Sequence, residues 1–157
     1  ILWAVLPSIL LASGESLTTV GMLTGIHAAA WGLGQLFTGP LSNKGNIRRI
    51  LMWGMLLQGI ALIGIRNVPL FWLPYILLGY GTAMVYPTFL VGISNHSHPN
   101  WRPRALATYR FWRDMGYVFG ALIGYFALQA NIPQAAFTGI AVLTLVVGAS
   151  FRYSSLK

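Results

Sequence analysis

Two carboxylates, Glu15 and Asp114, three histidines and no cysteine are the whole supply of acid–base and metal-ligating side chains in this 157-residue chain. A Ser/His/acid set for nucleophilic catalysis cannot be built from so few acids. His96 and His98 are close enough to share a metal, but no acid or thiolate stands near them, and they read as solvent-facing. No Gly-rich phosphate loop ending in Lys-Ser/Thr occurs, so nucleotide-driven work is not encoded in these residues. What remains is polar residues spaced along apolar segments. His27, Trp31 and Gln35 recur every four residues, which on a helix aligns a titratable ring, an indole and an amide. Tyr75, Gly79, Thr82 and Tyr86 form a second such stripe. A stripe of this kind either hydrogen-bonds a neighbouring helix or lines a cavity. His27, Gln35, Thr82 and Tyr86 are the cavity-facing candidates.

Asp114 is the one acid of the second half, with Arg113 beside it and Arg110 one helical turn before. A carboxylate near lipid needs a cation, so Arg110 or the basic stretch Lys44–Arg49 is its expected partner. The expected role is an ion pair at a helix end. Gly116, Gly120 and Gly124 repeat every four residues and would let another helix approach closely. Gly54, Gly59 and Gly64 are five apart and do not share one face.

The elements that position these residues follow from composition. The chain is 56% hydrophobic and 8% charged, against roughly 25% charged in soluble domains. A water-facing surface cannot be made from so few charges, so a membrane protein is expected. The expected class is all-α, a polytopic bundle with about six spans in one membrane domain: a partial 1–12, then 17–38, 50–65, 69–94, 105–129 and 132–151. Strict alternation with period two is missing, which argues against a β-barrel. Short polar or Asn/Pro turns separate the spans, with Ser16 placed to cap the second helix. The chain starts at Ile1 inside an apolar run, as a piece of a longer polypeptide would.

The net charge of +8 would suggest phosphate backbones in a soluble protein, but no polar face exists to carry it, and no nucleic-acid partner is expected. Alternating the spans places Lys44, Arg48, Arg49, Arg102, Arg104, Arg110, Arg113, Arg152 and Lys157 on one side, and Arg66 with Glu15 on the other. Such a bias marks the cytoplasmic side and puts the C-terminus there.

The stretch Gly39-Pro40-Leu41-Ser42-Asn43-Lys44-Gly45-Asn46-Ile47-Arg48-Arg49 joins two apolar segments through a tight basic turn. It resembles the loop signature of the major facilitator superfamily, Gly-x-Leu-(Ser/Ala)-Asp-(Arg/Lys)-x-Gly-(Arg/Lys)-(Arg/Lys). Asn43 stands at the usual Asp, Asn46 at the second Gly and Ile47 at a basic position. In the family this signature follows the second helix and, more degenerately, the eighth. Trp31–Leu36 is similar to the eighth helix, Tyr86-Pro87-Thr88 to the tenth, and Arg104–Gly124 to the entry of the eleventh.

This resemblance, which covers nearly the whole chain, implies the C-terminal six-helix half of a secondary transporter, its first helix truncated. It further implies a small-molecule solute moved by alternating access, an N-terminal six-helix half as partner, a coupling proton or ion, and no cofactor. The implied location is a bilayer, the bacterial inner membrane. Gly39, Leu41, Ser42, Asn43, Lys44, Arg48, Arg49, Arg113 and Asp114 become gate candidates, although Asn43 cannot make the charged latch that Asp makes. With so few acids, carboxylate-based proton coupling is expected in the other half. The alternative is a non-transporting scaffold or sensor on the same fold.

Overall fold

Lipid offers no partner to a backbone N–H or C=O, so apolar runs of this length satisfy themselves as helices. The computed structural model describes residues 2–12, 14–44, 46–67 and 72–153, without the side chains of 2–5, 12, 43, 44 and 66. Ser13, Gly45, Val68, Pro69 and Lys157, and the side chains of Asn43, Lys44 and Arg66, lie outside the described residues. Among the described residues there are six α-helices: α1 Leu2–Ala12, α2 Leu17–Lys44, α3 Ile47–Asn67, α4 Leu73–His96, α5 Arg102–Gln129 and α6 Pro133–Ser150. A single 3₁₀ turn, Phe151–Tyr153, follows α6. Three stretches among them, Ile47–Ile65, Leu73–His96 and Pro133–Tyr153, are long and apolar enough to cross a membrane by length and composition.

Helix ends are set locally. Ser16 Oγ accepts the Thr19 N–H at 3.1 Å and caps α2. Asn46 Oδ1 accepts the Arg49 N–H at 3.2 Å and caps α3. At the end of α5, Asn131 takes a left-handed φ of 55° and the Ile132 N–H reaches back to the Ala127 carbonyl at 2.8 Å. Two connections are shorter than expected. The turn anticipated over Gly39–Arg49 is mostly helix, because α2 continues through Pro40 to Lys44 and α3 begins at Ile47. The loop anticipated over Asn95–Arg104 shrinks likewise, since α4 includes His96 and α5 starts at Arg102.

The helices do not pack in chain order. α4 lies along both α2 and α3, and α6 lies along α3. Glycines set these approaches. A Cβ on Gly79 would strike the backbone of His27 and Trp31 on α2, and one on Gly81 would strike the backbone of Gly54 on α3. Two residues apart on α4, these glycines point to opposite sides and serve two neighbours. Gly34 meets Ala83, while Gly59 and Gly148 close the α3–α6 contact against Leu145 and Met55. The hydroxyl of Thr38 donates to the Ala83 carbonyl across the α2–α4 seam at 2.7 Å. Leu6, Leu10, Leu23, Leu62, Ile65, Tyr75 and Phe137 fill the core toward the α1 end.

α5 is held more sparsely, touching α1, α4 and α6. Gly120 and Gly124 are buried, whereas Gly116 is exposed with open space where a Cβ would stand. Much of its surface is apolar and uncovered among the described residues, including Phe119, Leu122, Ile123 and Phe126.

Candidate functional site

Because α4 is flanked by α2 and α3 while α5 stands off, a cavity of about 430 Å³ opens between these helices. Trp31 enters from α2, Gln58 from α3, Thr82, Val85, Tyr86 and Phe89 from α4, and Tyr109, Arg113 and Tyr117 from α5. All lie well inside their helices. Arg113 is ~16 Å along α5 from Arg102 at 1.5 Å per residue.

The walls are aromatic and ordered against one another. Trp31 and Tyr86 meet edge to face at 6.5 Å between centroids, and Phe89 and Tyr109 lie tilted at 5.8 Å. Arg113 holds its guanidinium carbon 5.2 Å from the centroid of the Tyr86 ring, a cation–π contact. Its Nε and Nη2 both donate to Asp114 Oδ1, at 2.9 and 2.7 Å. The acid's partner is thus its immediate neighbour, while Arg110 stands exposed. Thr82 spends its hydroxyl proton on the Leu78 carbonyl of its own helix. Trp31 also carries a buried indole N–H that has no acceptor among the described residues.

Thr82 and Tyr86 therefore line the cavity, together with Arg113. His27 does not: it is buried in the α2–α4 seam and hydrogen-bonded to the main chain at Tyr75. Gln35 is half-buried and outside the lining. Ser42 is buried with its Oγ on the Gly39 carbonyl, Gly39 is half-buried and Leu41 exposed. Arg48 and Arg49 face a separate groove with Arg152, away from Asp114. Gln58 gives no sequence signal, being a lone amide on α3 that enters only where α3 crosses α4. Phe89, three residues after Tyr86 and seven after Thr82, extends the α4 stripe by one more turn. A larger cavity of about 670 Å³ sits at the α5–α6 turn, lined by Asn131, Gln134 and Thr138 with no charged or aromatic group.

Comparison with known families matches residues 1–155 to the Major Facilitator Superfamily. The chain belongs to that superfamily. It is accordingly an all-α integral membrane protein of a family of transporters, not enzymes, whose members sit in a bilayer and move small solutes. Its similar curated proteins are bacterial. Multidrug resistance protein MdtH of Yersinia pestis (strain Pestoides F) is 28% identical over 139 residues, covering 86% of this chain and 34% of the relative. MdtH of Yersinia pseudotuberculosis serotype O:1b (strain IP 31758) matches equally, 28% over 139 residues with the same coverage. The chain thus spans about a third of the length of the curated relatives it matches. No solved structure gives a significant match.

Proposed function

We propose that this chain is the C-terminal six-helix half of a transporter that moves small, largely apolar aromatic solutes by alternating access. The cavity between α2, α3, α4 and α5 is its solute-facing wall. The observation that carries this is the aromatic lining around one cation, Arg113, well inside the helices. Apolar pockets with a few placed polar groups are the usual form of small-molecule sites. The multidrug resistance name of the relatives agrees with a solute of this kind.

The order of motifs along the chain supports the C-terminal assignment. The uncovered apolar faces of α5 and of α2, with Leu33, Leu36 and Phe37 exposed, are where an N-terminal half would rest. Gly116 is on that face, and Gly120 and Gly124 serve contacts within this half. The end bearing Gly39–Arg49 is the cytoplasmic gate, the C-terminus is cytoplasmic, and the membrane is a bacterial inner membrane. Neither acid lines the cavity, so the coupling proton or ion is handled in the partner half.

The test is uptake by the full-length protein in proteoliposomes, using neutral, cationic and anionic fluorescent aromatic solutes with and without a proton gradient. Gradient-dependent uptake that falls at least tenfold in Tyr86→Ala supports the proposal. Uptake unchanged in the paired variant Trp31→Ala/Tyr86→Ala removes the cavity from the pathway. Transport of no solute, alongside a stable partner complex, favours a scaffold.

A further inference from the structure

Three arginines from two separate elements converge on one groove. Arg48 and Arg49 come from the first turn of α3, and Arg152 from the 3₁₀ turn that ends α6. The groove, about 480 Å³, has an apolar floor that includes Met52, Trp53 and Leu56. Neither Glu15 nor Asp114 lines it, and Asp114 is held by Arg113. Phe151 packs on Phe89 at 6.1 Å between centroids, which fixes the end of α6 beside Arg152. Trp53 is 61% exposed on the outer surface, where the floor runs out toward lipid.

Orientation in the membrane requires cations at one end, but it does not require them to meet over an apolar trough. We propose that this groove binds an anionic phospholipid, with the phosphate on Arg48, Arg49 and Arg152 and an acyl chain along Met52, Trp53 and Leu56. Net charge selects the headgroup, since choline cancels the phosphate of a zwitterionic lipid while an anionic lipid leaves it to the arginines. Basic pockets between helix ends are suited to anionic lipid heads. The floor selects a lipid over a free anion, because a free phosphate gains nothing from a buried apolar surface. This site is independent of the solute cavity and of the transport reading.

Native mass spectrometry of the full-length protein tests this, with added phosphatidylglycerol, phosphatidylcholine of the same chains, or inorganic phosphate. Phosphatidylglycerol is expected to stay bound in preference to phosphatidylcholine. Arg152→Gln is expected to weaken its retention about fivefold, in line with the worth of one basic residue near a lipid surface. Arg104→Gln, outside the groove, leaves retention unchanged. Changing all three arginines to lysine preserves insertion and most of the headgroup preference, and Trp53→Ala weakens retention without touching charge. Equal retention of the two lipids, or equal losses in Arg152→Gln and Arg104→Gln, overturns the proposal. So does displacement of phosphatidylglycerol by millimolar inorganic phosphate, which assigns the arginines to a free anion.

Discussion

The Thr38 hydroxyl supplies the hydrogen bond that Pro87 cannot give to the Ala83 carbonyl. Pro87 lies inside α4 and has no N–H, so the carbonyl four residues earlier loses its helical donor. That carbonyl belongs to Ala83, and Thr38 Oγ1 reaches it from α2 at 2.7 Å. In lipid such a freed carbonyl is costly, and hydroxyls from neighbouring helices are among the groups that satisfy it. Thr38→Val is therefore expected to destabilise the protein by about 0.6–1.7 kcal/mol. In a Pro87→Ala background, where the helical N–H returns, the same change costs much less. Unfolding of all four proteins in bicelles measures this coupling directly, and equal costs in both backgrounds refute it.

Gly79 lets α4 lie close against α2. A methyl there meets the His27 carbonyl and the Trp31 nitrogen, which are backbone atoms and cannot swing aside. Gly79→Ala should lose about 1–3 kcal/mol by overpacking. Gly139→Ala, which meets nothing within 4 Å, should stay within about 0.5 kcal/mol of the parent. Thermal denaturation in one detergent compares the pair.

Trp31 gives the cavity a ring and carries a buried, unpartnered N–H, and the two can be separated. Trp31→Phe keeps an aromatic wall beside Tyr86 but removes the buried N–H. A solute that accepts this hydrogen bond should bind about two- to tenfold more weakly, the effect of roughly 0.5–1.5 kcal/mol. Binding titrations with the best transported solute read this loss. An unchanged affinity means the donor is not used.

The Arg113–Asp114 pair is partly open to solvent, with side chains 32% and 54% exposed. Asp114→Asn should therefore change stability by less than about 1 kcal/mol. Its expected effect is on selectivity. Releasing the guanidinium over the Tyr86 ring favours anionic solutes, and Arg113→Gln shifts preference the other way. Competition between anionic and cationic fluorescent solutes follows both shifts, and parallel changes in the two variants would contradict a role in selection.

The helices are legible from local rules, and their tertiary order is not. Ser16 and the left-handed Asn131 are local events, and their side chains announce them. The Thr82–Tyr86 stripe could be read because one helix holds it. Its neighbour could not. His27 shares a face with Trp31, yet α4 seals the one and leaves the other on the cavity, because Gly79 draws the α4 backbone over that turn. Gln58 is a single amide in an apolar helix, and nothing on α3 marks it until α4 crosses there. With a span starting at 105, Arg113 falls in its first turns; α5 starts at Arg102, three residues earlier, and carries Arg113 further from the helix end.

The α2–α4 seam also has a schedule. Thr38 and Ala83 are 45 residues apart in the chain, and at ribosomal rates of about 5–20 residues per second that is roughly two to nine seconds of synthesis. During that interval α2 has left the ribosome while the helix that seals His27 and Thr38 does not yet exist. The insertion machinery must shelter this polar face, or α3 must cover it for a time, before α4 arrives to claim it.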